Sequence, residues 1–351
     1  LATIFIISIL SALIAVLVYK LLGHITKNKK NRLFITFVFA FGTLFFLYST
    51  EYYAKTIATF FLFSSFYLLF LMKNKKIKKS KKLLFLTALL SSLAVTFEYS
   101  SILIVGLLFL YLLSFFRNKE IIYYLTGLMI PIILLLSYHY FIFDNAFSST
   151  YQYHKPTTYY PIVAEKDISL PTIERLWGLL FTPERGFFFF MPFMFLSIFG
   201  LFKWLKEKRV TKELILISLI FIIMFIFNAS LKLTWKGGCE FGPRFLVLII
   251  PFLILPSIFI IKKIPKTTKI LGITSIFINL LPIMYGMNTG CSDSNTLFHN
   301  FIPLLLKKGL RNYTLNLINM KLFNINILFV NLIMIFSLVI IGLIIYYIWK
   351  K

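Results

Sequence analysis

The run WKGGCEFGPRF, Trp235 to Phe245, concentrates the residue types of an anion site. Gly237, Gly238 and Gly242 admit backbone conformations closed to other residues and let a ligand approach the main chain. Pro243 suits the first turn of a following helix, which would set Arg244 at that helix's N-terminus. Backbone N–H groups, the positive end of the helix dipole, Arg244 and Lys236 together would hold an anion, and phosphate is the natural candidate. TPERGFFFF, from Thr182, places Arg185 before a second apolar run in the same way. Two arginines at one lipid boundary suit a phosphate or pyrophosphate headgroup. A glycine turn with a snorkelling arginine, and Glu184 with Arg185 as an ordinary interfacial anchor, are the competing structural readings.

Carboxylates come next. Glu98, in TFEYSS, interrupts a long apolar stretch, and a carboxylate at membrane depth tends to mark function. Burial there would raise its affinity for a proton and suit it to proton transfer. Glu51, in YSTEYYAKT, and Glu240, inside the glycine run, are candidates for substrate contacts; Glu51 is equally open as a general base, a metal ligand or a polar loop residue. His154, in STYQYHK, is a secondary polar candidate beside Glu98, while His139 reads more simply as structural. Tyr151 and Tyr153 could stack on a sugar ring, as could Tyr159 and Tyr160, although tyrosine also populates membrane interfaces. Cys239 and Cys291 could pair, and Asn228 and Asn312 open N-x-S/T sequons.

These residues need elements to hold them. The chain has 351 residues, 59% hydrophobic and 14% charged, with 42 Phe and a net charge of +25. Soluble domains carry about 45 to 50% apolar and about 25% charged residues, so one water-facing globule is excluded. Cutting at the polar interruptions leaves eleven apolar segments of roughly spanning length: about 1 to 23, 33 to 48, 54 to 72, 83 to 97, 100 to 116, 121 to 141, 187 to 203, 213 to 230, 245 to 261, 270 to 287 and 325 to 348. The stretch 83 to 116 is too long for one pass, so a tight turn near Glu98 is expected. Every second connection is rich in Lys and Arg and holds 25 of the 37 basic residues with three of the 12 acids, which leaves +22 on one side and +3 on the other. Such asymmetry marks cytoplasmic loops, so the charge reports topology and no nucleic-acid partner is expected. The reading is all-α: a polytopic transmembrane helical bundle of about 11 spans, one domain over 1 to 351, C-terminus cytoplasmic, in the cell (plasma) membrane. The external loops 142 to 186 and 287 to 324 are long enough to carry function. Within the first, Ile173, Leu176, Trp177 and Leu180 fall on one helical face, with Glu174 and Arg175 opposite, as in an amphipathic interfacial helix.

The segments FGTLFFLYSTEYYAKT from Phe41, TFEYSS from Thr96, STYQYHK from Ser149, LWGLLFTPERGFFFF from Leu176 and WKGGCEFGPRF from Trp235 keep an order that resembles polytopic glycosyltransferases of the C-type membrane fold (GT-C). The likeness is to protein O-mannosyltransferase-like enzymes that use polyprenyl-phosphate sugars, and it covers roughly residues 15 to 310. It implies an inverting transfer of a sugar from the lipid phosphate to a glycan, lipid or protein acceptor at the external face, among membrane lipids. It also implies a catalytic acid in a first external loop, after a first helix; because Leu1 falls inside an apolar run, that helix and loop are expected to precede it. Arg244, Arg185 and Lys236 would bind donor phosphate. A divalent metal could help neutralise charge, but no ligand set is legible, and no cofactor is identified. A lipid-linked oligosaccharide polymerase or ligase, a transporter and an inactive scaffold are the other readings.

Overall fold

The computed structural model describes residues 2–116, 119–148, 153, 167–206, 211–238, 240–286, 295, 297–308 and scattered positions between 329 and 343. Every named element among them is helical, and an isolated antiparallel bridge joins Ile168 to Leu231. In chain order the helices are α1 (Ala2–Ile25), α2 (Lys29–Phe41), α3 (Leu44–Tyr48), α4 (Ala54–Lys73), α5 (Lys81–Phe97), α6 (Ser101–Leu113) and α7 (Ile121–Phe143). They continue as α8 (Ile173–Phe181), α9 (Phe187–Phe190), α10 (Met194–Lys206), α11 (Thr211–Ser230), α12 (Ile250–Leu253), α13 (Pro265–Tyr285) and α14 (Ile302–Lys308).

Five of these, α1, α4, α7, α11 and α13, are long and apolar enough to cross a membrane. Helices of this length and composition are those of a membrane protein. The large exposed side chains Leu125, Met129, Ile133 and Leu134 all lie on α7, a face suited to lipid and ill suited to water.

The other expected segments are broken or shorter, each for a local reason. The 34-residue stretch from 83 to 116 does turn at Glu98, between α5 and α6. The segment 33 to 48 divides into α2 and α3, because the Thr43 hydroxyl caps α3 by accepting from Phe45 N at 3.2 Å while donating to Phe39 O at 2.7 Å. The segment 187 to 203 divides at Pro192 into α9 and α10. The segment 245 to 261 is no continuous α-helix: 3-10 turns Arg244–Ile249 and Leu255–Phe259 flank α12, since Pro251 and Pro256 lack the amide that a helix interior requires. Leu246 to Leu255 are almost wholly buried, so the irregular backbone is enclosed by the surrounding helices. Of the segment 325 to 348 only scattered positions are described.

Gly200 shows how closely that irregular stretch is packed. A Cβ there would lie 2.0 Å from the Pro256 carbonyl oxygen. Gly200→Ala gains about 1 kcal/mol of helix propensity, but the neighbour is backbone and cannot rotate away, and overpacking costs about 1 to 3 kcal/mol. The substitution is expected to lower the thermal midpoint of the purified protein in detergent; an unchanged or higher midpoint would mean that α10 can slide.

Contacts sort the helix ends into two groups. At one end, Lys73 of α4 bonds both carboxylate oxygens of Glu213 of α11 at 2.6 Å, and the Tyr111 hydroxyl of α6 donates to the same carboxylate. Lys79 reaches Phe115 O at 3.5 Å and Lys203 reaches Phe259 O at 2.7 Å, so the basic connections gather here. At the opposite end, the Ser8 hydroxyl of α1 donates to Ser49 O at 3.1 Å. The end of α3, the start of α4, the turn between α5 and α6, the segment after α8 and the loop after α11 meet around it.

Candidate functional site

The loop after α11 is built by its glycines. Gly237, Gly238 and Gly242 have φ of 75°, 79° and 72°, a region that side chains other than glycine enter only at a cost. Between them the chain doubles back on Arg185. Its Nη1 donates to Glu240 O at 2.6 Å and its Nη2 to Gly238 O at 2.5 Å. Phe241 anchors the far side: its ring is fully buried against Phe190 and Phe301, and its carbonyl accepts from the Tyr48 hydroxyl at 2.9 Å. Trp235 lies over α8 where Gly178 leaves room; a Cβ on Gly178 would meet the indole at 2.6 Å.

Among the described residues, three ion pairs line this end. Arg244 pairs with Glu240, and Tyr53 joins them, donating to Glu240 Oε2 at 2.6 Å and accepting from Arg244 Nη1 at 2.7 Å. Lys236 pairs with Glu184 at 2.8 Å. Lys55, one residue into α4, pairs with Glu98 at 2.5 Å, and the Ser100 hydroxyl donates to the other oxygen of Glu98 at 2.9 Å. The Phe245 ring joins two of the pairs, with Lys55 Nζ 4.6 Å and the Arg244 guanidinium 5.1 Å from its centroid.

The local environment tunes the groups outside the spans. Burial raises the Tyr53 phenol well above its ordinary value, so it remains protonated. Burial lowers the Arg185 guanidinium, and the neighbouring Glu184 opposes that shift. Burial, then the charge of Glu240, raises the Glu51 carboxyl.

Several expectations need correction. Arg244 opens a 3-10 turn rather than an α-helix, and its own N–H bonds Gly242 O at 3.0 Å, so no strong helix dipole faces an anion here. α9, after Arg185, has only four residues. Arg185 is 3% exposed and committed to two carbonyls, which makes it the pin of the loop. Lys236 is held by Glu184, Glu240 by Arg244 and Glu98 by Lys55, in place of free groups. Asn228 is fully buried inside α11, donating to Met224 O at 2.7 Å, and is no glycosylation acceptor. His139 shares a hydrogen bond of 3.0 Å with the Tyr99 hydroxyl, a structural bond. Tyr153 stacks on Phe143 at 4.4 Å. Tyr151, Tyr159, Tyr160, His154, Cys239, Cys291 and Asn312 lie outside the described residues. Among the described residues no three His, Cys, Asp or Glu side chains gather as a metal site.

Three participants escape a reading of the sequence, Tyr48, Tyr53 and Lys55. Lys55 leaves one usable signal, a lysine just inside an apolar helix that would need a counter-charge. No family model, curated protein or solved structure matches the chain.

Proposed function

We propose that this chain is a membrane-embedded glycosyltransferase that moves a sugar from a polyprenyl-phosphate donor to an acceptor at the outer face. One observation carries the reading. Four of the sequence segments that prompt it, around Tyr53, Glu98, Arg185 and Arg244, are far apart in the chain yet form one polar cluster at a single end of the helices.

The chemistry asked of such a cluster is limited. A sugar on phosphate already carries a good leaving group, so the protein must neutralise the departing charge, align the acceptor and take up a proton. In the free protein Glu240 occupies the guanidinium face of Arg244. Donor phosphate therefore exchanges with the Glu240 carboxylate, one anion for another, while Arg185 keeps the loop in shape. In this reading the basic connections face the cytoplasm, the helices and broken segments together make about 11 passes, and the membrane is the plasma membrane. α8 lies in the interface: Ile173 and Trp177 point outward at 86% and 60% exposure, as a helix resting on acyl chains requires.

The test is turnover in proteoliposomes supplied with radiolabelled polyprenyl-phosphate hexoses, with water and vesicle lipids as acceptors. Wild type is expected to release polyprenyl phosphate, and Arg244→Ala to lose about 10- to 100-fold in donor affinity, the worth of one or two hydrogen bonds from a charged donor. A wild type that consumes no donor, or an Arg244→Ala chain that binds and turns over normally, would sink the proposal.

A further inference from the structure

The basic end of the helices holds charge that the site at the opposite end does not use. Its densest run is Lys73 to Lys82, KNKKIKKSKK, seven lysines and no acid where α4 passes to α5. Lys73 is spent on Glu213; the other six are exposed, and among the described residues none of them pairs with a carboxylate. The other described acid at this end is Glu120, just ahead of α7.

Local bonds hold this turn in one shape. Lys76 N–H bonds Leu71 O at 2.9 Å and Lys75 N–H bonds Met72 O at 3.3 Å, the paired bonds that commonly close a helix through a left-handed residue. That residue is Lys75, with φ of 54°, where glycine would be less strained. Ile77 packs against the core, and the Ser80 hydroxyl caps α5 by accepting from Leu83 N at 3.2 Å.

The turn adjoins an apolar wall. Lys81 Nζ lies 5.1 Å from the centroid of Tyr123, at the start of α7, and Lys79 Nζ lies 5.1 Å from that of Phe116. Beyond them α5 and α7 run side by side, so close that a Cβ on Gly127 would lie 2.4 Å from Phe85 O. Leu86 of α5 and Ile122, Leu125 and Met129 of α7 are exposed along this pair. Cations thus stand at the edge of a surface ill suited to water. A soluble polyanion has use for the cations alone, whereas an acidic amphiphile matches both.

We propose that this turn and the wall of α5 and α7 bind an anionic phospholipid of the surrounding leaflet. Its phosphate sits on Lys78, Lys81 and Lys82, and its acyl chains lie along Leu86, Leu125 and Met129. Clustered lysines beside a membrane helix attract acidic lipid, each strengthening binding about fivefold. Nothing in this site depends on the sugar-transfer reading, which concerns the opposite end.

The test uses the full chain purified in detergent, with bound lipid counted by native mass spectrometry during titration with dioleoyl phosphatidylglycerol or dioleoyl phosphatidylcholine. Wild type is expected to prefer phosphatidylglycerol about 100-fold, the product of three fivefold steps, and less so in about 0.5 M salt. The triple variant Lys78→Gln, Lys81→Gln, Lys82→Gln should bind the two lipids alike to within about threefold. The variant Lys27→Gln, Lys29→Gln, Lys30→Gln removes the same charge between α1 and α2, where no described neighbour on α2 is a large exposed apolar side chain, and should keep the preference. Sodium tripolyphosphate, which has no chains, should not displace phosphatidylglycerol at equal concentration. All six substituted lysines are exposed, so both variants should keep the wild-type thermal midpoint; if either does not, the arms on wild type alone decide. Equal affinity of wild type for the two lipids, a preference that survives in the first variant or falls as far in the second, or displacement by tripolyphosphate overturns the proposal.

Discussion

Replacing Lys73 by Met is expected to destabilise the protein by about 3 to 5 kcal/mol, the cost of leaving one member of a buried ion pair without the other. The Glu213 side chain is 1% exposed, and both its oxygens bond Lys73. Removing the ammonium leaves a carboxylate with only the Tyr111 hydroxyl for compensation. Water cannot reach it without prising apart α4, α6 and α11. The attraction between the two charges is not what sets this number; the desolvated remainder is. A triple variant, Lys73→Met with Glu213→Leu and Tyr111→Phe, should therefore recover most of the loss, because it removes every polar atom of the cluster together. Thermal unfolding in detergent gives the comparison. A single variant as stable as wild type, or a triple variant as unstable as the single, would show that the pair is not buried in solution as described.

Arg185→Met should release the glycine loop. Two carbonyls, of Gly238 and Glu240, lose their donor, and each buried unsatisfied group costs about 1 to 3 kcal/mol. The helices keep their own bonds, so the loss is local. Amide hydrogen exchange over residues 237 to 242 should accelerate by at least about 30-fold, equivalent to about 2 kcal/mol, while exchange in the middle of α4 and α11 stays slow. On the proposed glycosyltransferase reading, donor turnover should fall with it, because Glu240 lies on the freed loop and pairs with Arg244. Arg185→Lys should be intermediate, since an ammonium is a point donor and does not reproduce the planar fork. Unchanged exchange would assign the shape of the loop to Phe241 alone.

The turn at Glu98 is legible in the sequence because an apolar stretch too long for one pass must reverse somewhere, and its single acid marks the place. The glycine loop is legible for a similar reason, since three glycines in six positions have few uses besides positive φ. The pairing of the charges is only partly so. Arg244 and Glu240 are four residues apart, a spacing that suggests their bond. Lys55 with Glu98 and Lys73 with Glu213 join residues 43 and 140 positions apart, which no local pattern encodes. From sequence alone Lys73 and Glu213 belong to solvated inner connections, because a charge at a helix terminus looks the same whether water or another helix receives it. The breaks within 33 to 48, 187 to 203 and 245 to 261 escape hydropathy, which registers apolar length and is blind to backbone continuity.

The break between α9 and α10 has its open main chain satisfied by α13: the Ser275 hydroxyl accepts from Phe193 N at 2.8 Å, and Asn279 donates to Phe190 O at 2.8 Å. These partners follow 82 and 89 residues later in the chain. During synthesis the broken segment is made well before its splint exists, and until then this amide and this carbonyl lack the partners they have in the finished fold. Ser275 and Asn279 therefore set an order of assembly as well as a contact. Until α13 arrives, the join between α9 and α10 cannot reach its finished form.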